Sequence, residues 1–328
     1  MRLGKIPESV LIRSVLGKIT VNRDEVLVGP NVGEDCAALK LENDEIFVIS
    51  TDPITGTVSD IGELAIHVTA NDLAASGAEP VGVMLTMLLP PKSCEEQIKK
   101  IMDQVESACK GLHIQVLGGH TEVTAAVNQP LLSVTGVGKV KEGKMILTSG
   151  AKPEQDIILT KWIALEGTSI IAKEQEEVLL PKYPKELIEE GKRYSDYLSI
   201  VPEAKIAANH GATSMHDVTE GGIFGALWEM AQSSSVGIEV DLRAIPIKQV
   251  TVEICEAFGL NPYLLISSGA LLITTDRGAD LLKKLKEVGI QGTIIGKVTD
   301  RNERVIRNGQ ESRYLDRPQT DELYKLTK

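Results

Sequence analysis

The stretch Asn71-Asp-Leu-Ala-Ala-Ser-Gly-Ala-Glu-Pro80 decides the fold. It lies in a segment rich in Ala, Leu and Ile, which predicts a helix over 64–76 that Gly77 ends. Residues 81–89 then predict a strand that two prolines stop. Asn and Asp are poor residues for a helix interior, because their side chains compete for backbone hydrogen bonds. The Asn-Asp pair therefore indicates either a solvated helix face or a functional role, and the stretch alone leaves both open.

Helix-like and strand-like segments alternate through both halves of the chain. The apolar periodicity of 95–110 predicts an amphipathic helix, and strands are predicted at 114–117 and 131–140. A polar stretch at 141–155, with two glycines and a proline, is typical of a connection between domains. We therefore predict two domains, 1–150 and 151–328, of α/β and α+β class with antiparallel or mixed sheets.

Composition excludes several classes of function. The 35 Lys and Arg against 46 Asp and Glu give a formal charge of −11, which argues against a nucleic-acid partner. The four cysteines include no Cys-x-x-Cys spacing, and no segment reads as a signal peptide or a membrane helix. We expect a cytoplasmic protein with no membrane partner.

Four aspartates lie among small or apolar residues. Asp35 follows Gly33-Glu, Asp52 ends an apolar strand-like run, Asp72 lies in the predicted helix, and Asp217 precedes an apolar helix. Bringing several carboxylates into one cleft is costly unless cations neutralise them. Magnesium is the natural counterion, since it prefers oxygen ligands and shares them with nucleotide phosphates. The aspartates therefore predict a magnesium-dependent nucleotide site.

Two glycine pairs could contact phosphate groups. Gly118-Gly119 follows a predicted strand as a turn, and Gly221-Gly222 opens an apolar helix whose free N–H groups favour an anion. Each pair alone is also typical of an ordinary tight turn. His120 is compatible with a capping, core or catalytic role. No P-loop or dinucleotide-binding glycine pattern is present.

Taken in order, the motifs resemble a known family. They are Gly33-Glu-Asp-Cys-Ala-Ala38, Ser50-Thr-Asp52, Asn71–Pro80, Gly118-Gly-His-Thr121, His216-Asp-Val-Thr-Glu-Gly-Gly222 and Ser267-Ser-Gly269. The chain is similar, over most of its length, to the PurM-like ATP-binding superfamily of AIR synthase-related proteins. Within that superfamily it is most similar to proteins of the HypE type, which act in hydrogenase maturation.

The resemblance implies a PurM-like two-domain fold. The N-terminal domain would contribute strands to a β-barrel shared with a second protomer in a homodimer, and the C-terminal domain would be an α+β sandwich. It implies ATP and Mg as cofactors. The implied metal ligands are Asp35, Asp52 and Asp72. The implied nucleotide-binding residues are Asp35, Asn71, Asp72, Gly118, Gly119, Thr121, Asp217, Gly221 and Gly222. We take His120 and Glu122 as the candidate catalytic pair.

Two departures from the HypE pattern bear on the substrate. HypE ends in a tail whose cysteine carries the carbamoyl group, whereas the last cysteine here is Cys255. HypE also has an Asp and a Lys where this chain has His120 and Glu122. We therefore predict an ATP- and Mg-dependent phosphoryl-transfer enzyme that activates an unidentified small molecule. The alternatives are a kinase resembling thiamine-monophosphate kinase and a non-catalytic ATP-binding regulator or assembly protein.

Overall fold

The computed structural model describes residues 4–5, 8–30, 38–54, 59–317 and 320–326. They fold into two compact units. One unit comprises Met1–Leu73 and Ala78–Met145, and the other comprises Ala74–Gly77 and Ile146–Lys328. The assignment of domains to 1–150 and 151–328 stays a prediction.

The first unit is built on a mixed sheet and three helices. Its strands are β1 Gly4–Lys5, β2 Val26–Val28, β3 Ala38–Leu39, β4 Glu45–Ile54, β5 Glu79–Leu89, β6 Gln115–Val123 and β7 Leu131–Lys141. Its helices are α1 Glu8–Ser14, α2 Ile61–Ala75 and α3 Glu95–Leu112. The main sheet has the order β1-β6-β5-β7-β4, and β2 pairs with β3 separately. Only the β5–β6 ladder within that five-stranded sheet is parallel.

Helix α2 covers one face of this sheet at very short range. A Cβ atom on Gly136 of β7 would lie 2.4 Å from Thr69 Cγ2 and 3.0 Å from Leu73 Cδ1, both in α2. In an antiparallel ladder, directly paired residues point to the same face. The α2-covered face therefore includes Ser50 of β4, which pairs with Gly136, and Asp52, which pairs with Val134. We call the opposite side of the sheet the open face.

Helix α3 confirms the amphipathic prediction and extends it by two residues, to Leu112. Its buried side chains share one face: Ile98, Ile101, Met102, Val105, Ala108 and Cys109. Within the described ranges, no helix combines the length and the apolar character needed to cross a membrane.

The second unit is a seven-stranded sheet with helices on both faces. Its strands are β8 Asp156–Thr160, β9 Ser214–Asp217, β10 Gly237–Asp241, β11 Leu271–Thr275, β12 Gly292–Thr299, β13 Arg304–Asn308 and β14 Glu311–Tyr314. Its helices are α4 Leu165–Glu174, α5 Glu176–Leu179, α6 Lys185–Lys192, α7 Val201–Asn209, α8 Gly222–Ser234, α9 Gln249–Phe258 and α10 Gly278–Glu287. The strand order is β14-β13-β10-β12-β8-β11-β9.

Alternation along the strands divides the core of this unit into two layers. Ile157 and Leu159 of β8 pack with Leu227 of α8 on one side. Ile158, between them, packs with Ala204 of α7 on the other side. Successive side chains of a strand point to opposite faces, so one apolar strand supplies both layers. This arrangement confirms the predicted fold class.

One strand prediction was wrong. The sequence predicted a strand over 114–117 and then a turn at Gly118-Gly119, but β6 continues to Val123. The β5–β6 register shifts between Val83 and Met84, which leaves Leu117 as an extra residue on β6. The glycines therefore follow a β-bulge within a strand, and pairing with β5 overrides their turn preference.

The close approach of α2 to β7 gives a test of the fold. We expect Gly136→Ala to lower the free energy of unfolding by about 1–3 kcal/mol, because the new methyl group overpacks against Thr69 and Leu73. The matched control is Gly111→Ala in α3, where a Cβ meets nothing within 4 Å. That variant should be neutral or more stable by up to about 1 kcal/mol. Thermal unfolding of the full chain measures both, and equal stability of the two variants would contradict this packing.

Candidate functional site

Two of the predicted aspartates lie on the α2-covered face. Ser50 and Asp52 are two residues apart on β4 and therefore point to the same side. The Ser50 hydroxyl donates a hydrogen bond to Asp72 Oδ2 of α2. Asn71, the neighbour of Asp72, is fully buried. The alternative of a solvated Asn-Asp face does not hold for Asn71, and Asp72, which is half-buried, is directed to β4 by its bond with Ser50.

Asp52, Asp72 and Ser50 fit a hard divalent cation by the chemistry of their donors. Carboxylate and hydroxyl oxygens are the ligands that Mg²⁺ prefers, together with water and phosphate oxygens. The third predicted ligand, Asp35, lies outside the described residues. In the described segments, no group of three or more His, Cys, Asp or Glu side chains is placed to hold a metal ion. The magnesium site therefore stays a prediction.

Gly119 of β6 occupies a position that only glycine tolerates. Its φ is +152°, and a Cβ atom there would lie 1.9 Å from the carbonyl oxygen of Leu85. Gly118, in contrast, has only a distant methyl group near its missing Cβ. Thr121 is buried on the same face as Met87, which is the α2-covered face. The glycine pair thus brings the β6 backbone against β5 after the bulge.

His120 and Glu122 lie on the open face. His120 pairs with Thr86 of β5, and Thr86 pairs with Ser133 of β7. Ser133 is the neighbour of Val134, the partner of Asp52, and therefore points to the opposite face. The His120 ring nitrogen Nε2 is 3.0 Å from Glu122 Oε2. The structure therefore joins the two predicted catalytic residues to each other, but on the opposite side of the sheet from Asp52.

In the second unit, Asp217 lies at the end of β9, next to the loop 266–269. The backbone joins them, since Val218 donates to the Ala270 carbonyl at 3.0 Å and Ser267 to that of Thr219 at 3.3 Å. The same loop binds the start of α4 through the Gly167 N–H, 3.1 Å from the Ile266 oxygen. Asp217, the loop and α4 therefore meet at one end of the seven-stranded sheet.

The N–H groups of Gly221 and Gly222 already have partners. Gly221 donates to Asp321 Oδ2 at 2.7 Å, and Gly222 donates to the Thr219 carbonyl oxygen at 3.1 Å. The predicted preference for an anion at the start of α8 is thus satisfied by a carboxyl group of this chain. Burial raises the pKa of that Asp321 carboxyl. Phosphate binding at this helix end, which stays a prediction, would require displacement of Asp321.

Glu166 is the residue that the sequence reasoning missed. It lies in the first turn of α4 with 3% of its surface exposed, and its Oε2 atom has no hydrogen-bond partner. Burial raises its pKa to about 7, and the nearby carboxyl groups of Asp321 and Asp217 act in the same direction. A strongly perturbed buried carboxyl group is typical of functional sites. The only sequence signal was a glutamate that interrupts the apolar run around Ile163–Leu165, and its burial depends on the distant loop that carries Ser268.

Both halves of the chain match a family model. Residues 33–140 match the N-terminal domain of AIR synthase related protein, and residues 152–308 match its C-terminal domain. The chain belongs to the AIR synthase related protein family. The order of the motifs had indicated this family, and the recognition is confirmed.

Two curated relatives match most of the length of this chain. A putative hydrogenase expression/formation protein of Methanocaldococcus jannaschii is 27% identical over 311 residues, covering 92% of this chain and 90% of that protein. The carbamoyl dehydratase HypE of Cupriavidus necator is 26% identical over 286 residues, covering 85% of this chain and 78% of HypE.

Solved structures share the fold of this AIR synthase related protein. The hydrogenase maturation protein HypE of Escherichia coli aligns with a TM-score of 0.80 at 22% identity, over 97% of this chain and 99% of HypE. A HypE in complex with ATP gives 0.76 at 20% identity, over 89% and 90%. A thiamine-monophosphate kinase of Stenotrophomonas maltophilia gives 0.75 at 22% identity, over 94% and 99%.

The buried Glu166 predicts a characteristic dependence of stability on pH. Below about pH 4.5 the carboxyl is protonated in both the folded and the unfolded chain, so it has no net effect. Between pH 4.5 and 7 the unfolded chain ionises first, which destabilises the fold by up to about 3 kcal/mol above pH 7. We expect Glu166→Gln to remove this loss. Its stability advantage over wild type should grow from near zero to about that value across this interval.

Thermal unfolding at several pH values between 4.5 and 8 measures the effect. The matched control is Glu186→Gln, a change at an exposed position of α6. Its difference from wild type should stay constant across the same range. A constant difference for Glu166→Gln as well would show that this carboxyl titrates as it does in the unfolded chain.

Proposed function

We propose that this protein is an ATP- and magnesium-dependent phosphoryl-transfer enzyme that activates a small acceptor molecule. The single observation that carries the proposal is that Asp52 lies on the α2-covered face of the first sheet and Asp72 lies on α2, with Ser50 of β4 donating to Asp72. Two carboxylates on one protein face favour a bound divalent cation. Membership of the AIR synthase related family over both halves of the chain supports it.

The relatives support the use of ATP in particular. One of the solved HypE structures contains ATP, and the curated HypE relatives are carbamoyl dehydratases. The relative from Methanocaldococcus jannaschii matches nearly the full length of both chains, so the similarity covers both units of this chain. We propose a reaction of the same general type, in which an acceptor oxygen takes the γ-phosphate of ATP and ADP leaves.

Positioning and electrostatics would account for most of the catalysis. Asp52 and Asp72 would hold magnesium, and the hydrogen bond from Ser50 orients the Asp72 carboxylate toward the sheet. When bound, magnesium supplies neutralisation of the charge that develops on the leaving ADP. We retain Asn71, Gly118, Gly119 and Thr121 as nucleotide-binding residues and Asp217 as an acid of the second unit. His120 and Glu122 lie on the opposite face of the sheet from Asp52, so they are not assigned to this metal site, and their catalytic role stays a prediction.

Replacement of Asp72 tests the function directly. We expect Asp72→Asn to lower magnesium-dependent ADP formation by at least about a hundredfold, since it removes a charged ligand and leaves a neutral oxygen. The helix should stay folded, because Asn keeps the shape and can still accept from Ser50. The measurement is ADP release from ATP with a panel of small acceptors, with and without magnesium.

The matched control is Asp103→Asn, an aspartate on α3 whose partner is Lys18 at the surface. It should keep full turnover, since a surface ion pair contributes little. Unchanged turnover in the Asp72 variant would falsify the metal assignment. ATP binding by calorimetry without ADP formation from any acceptor would instead favour a non-catalytic regulator, and phosphorylation of thiamine monophosphate would favour the kinase alternative.

We further propose that the active form is a homodimer whose first sheets pair. Strand β4 lies at the edge of its sheet, and its Phe47 and Ile49 side chains are 47% and 65% exposed on the open face. An exposed apolar edge strand is a template for pairing with another chain. A second copy would bury these side chains and extend the sheet toward a barrel.

Oligomeric state tests this pairing. We expect Ile49→Lys to convert a dimer into a monomer, because the charge would be buried at the interface. Light scattering coupled to size-exclusion chromatography measures the mass. The matched control is Val288→Lys in the second unit, where the side chain is 59% exposed. That variant should remain dimeric, and a dimeric Ile49 variant would argue against β4 pairing.

A further inference from the structure

Three aromatic rings of the second unit surround the ammonium group of Lys248. The Nζ atom lies 3.9 Å from the Trp162 ring centroid, 5.6 Å from that of Tyr194 and 5.8 Å from that of Tyr197. Trp162 and Tyr197 also contact each other edge to face, with centroids 5.6 Å apart. The whole chain has only 2 Trp, 6 Tyr and 3 Phe, so this grouping does not follow from abundance. We call these four residues the aromatic cluster.

Three separate segments hold the four members. Trp162 lies in the loop between β8 and α4, four residues before Glu166. Tyr194 and Tyr197 lie on the 3-10 helix Arg193–Tyr197, and Lys248 precedes the first turn of α9. A Cβ on Gly269 would lie 2.6 Å from the Tyr197 carbonyl oxygen. The loop 266–269 therefore contacts the aromatic cluster through Gly269 and the first turn of α4, which carries Glu166, through Ile266.

Aromatic rings surround the Lys248 ammonium group, but its N–H donors make no hydrogen bond to a residue of the described part of the chain. The neighbouring Lys161 shows the usual solution, with its Nζ 2.6 Å from both Glu203 Oε1 and the Ser199 carbonyl oxygen. Lys248 has no hydrogen bond or ion pair with any residue in the described part of the chain. Ring faces attract a cation but do not replace hydrogen-bond acceptors. Lys248 is only partly buried, so its donors are available to an anion that enters from solvent.

A cavity of about 370 Å³ adjoins Lys248. Its walls are Glu190, Arg193, Tyr194, Asp196, Tyr197 and Lys248. The Glu190 carboxylate accepts from the Tyr194 hydroxyl at 3.0 Å, which engages that acid. Tyr197 is 41% exposed, so part of its ring is free to contact a ligand. The volume is of the size that small-molecule sites have.

We propose that this cavity binds a planar aromatic compound that carries an anionic group, either a carboxylate or a phosphate. The anion accepts hydrogen bonds from Lys248 and meets the exposed Arg193. The ring packs against the exposed part of Tyr197, which contacts Trp162 edge to face. Asp196, on the exposed wall of the cavity, opposes the anion and limits the affinity. This site is independent of the proposed phosphoryl transfer, since it involves none of the residues assigned to ATP.

The test uses the fluorescence of Trp162 in the full chain that carries Trp228→Phe, which removes the second tryptophan. The probes are phenyl phosphate, benzoate, inorganic phosphate and benzyltrimethylammonium. We expect saturable changes with phenyl phosphate or benzoate, and the stronger of the two identifies the anion. Lys248→Met should weaken that binding about tenfold or more, because it removes a charged hydrogen-bond donor and keeps the side-chain stem.

Two matched variants exclude a folding artefact. Lys182→Met removes another lysine that lies over an aromatic ring, Phe258 at 5.9 Å, and should leave probe binding unchanged. Asp196→Asn should tighten binding severalfold, a gain that misfolding cannot produce. The proposal is overturned if Lys248→Met binds as tightly as the parent, if the trimethylammonium probe binds best, if inorganic phosphate equals phenyl phosphate, or if no probe saturates.

Discussion

The contact between α2 and the first sheet is the constraint on which the candidate site depends. Without a side chain on Gly136, the helix lies close enough for Thr69 and Leu73 to contact the strand backbone. Only at this distance does the Ser50 hydroxyl reach Asp72. A helix seated further from the sheet would expose the Asn-Asp pair to water, and the two polar residues would then be ordinary surface groups. The small residue Gly136 therefore allows the close packing of α2 that brings the Asp72 carboxylate to Ser50.

The second unit solves a related electrostatic problem by different means. Glu166, Asp217 and Asp321 are all buried near the loop 266–269, and burial of several carboxyl groups is costly. Asp321 is stabilised by backbone donors, from Gly221 at 2.7 Å and Leu323 at 2.8 Å. Burial raises the pKa of Glu166, whose Oε2 atom has no hydrogen-bond partner. The raised pKa favours the neutral acid. The chain thus keeps one buried acid hydrogen-bonded and leaves its neighbour near the point of ionisation at neutral pH.

Local sequence signals predicted the elements whose stability is local. The apolar periodicity of α3 predicted its start at Glu95, because the apolar residues that define the helix all lie within one continuous segment and on one face. The turn at Gly118-Gly119 was wrong, since the path of β6 depends on its pairing with β5, 33 or 34 positions away along the chain. Strands β10 and β13 were missed for a similar reason: they are short, and the ladder between them joins distant segments of the chain.

The same distinction applies to the site residues. The aspartates were conspicuous because each interrupts an apolar or small-residue run, and two of the three predicted ligands lie on one sheet face. Alternation along β6 could have shown that His120 and Glu122 share a face with each other and not with Thr121. Which face that is could not be predicted, since it depends on the register of β5, β7 and β4. The occupant of the α8 N-terminus was equally inaccessible, because Asp321 is 100 residues from Gly221.

The position of the His120–Glu122 pair bears on the proposed dimer. Both side chains lie on the open face, which a second copy would cover, and polar groups buried at an interface need partners. The 3.0 Å contact between them supplies one such partner within one chain, while His120 Nδ1 and Glu122 Oε1 would each need a partner from the second copy. Asp52 and Asp72 remain on the opposite, α2-covered side. Pairing of two copies would therefore cover His120 and Glu122, and it would leave Asp52 and Asp72, the carboxylates that would hold magnesium, on the other side of the sheet.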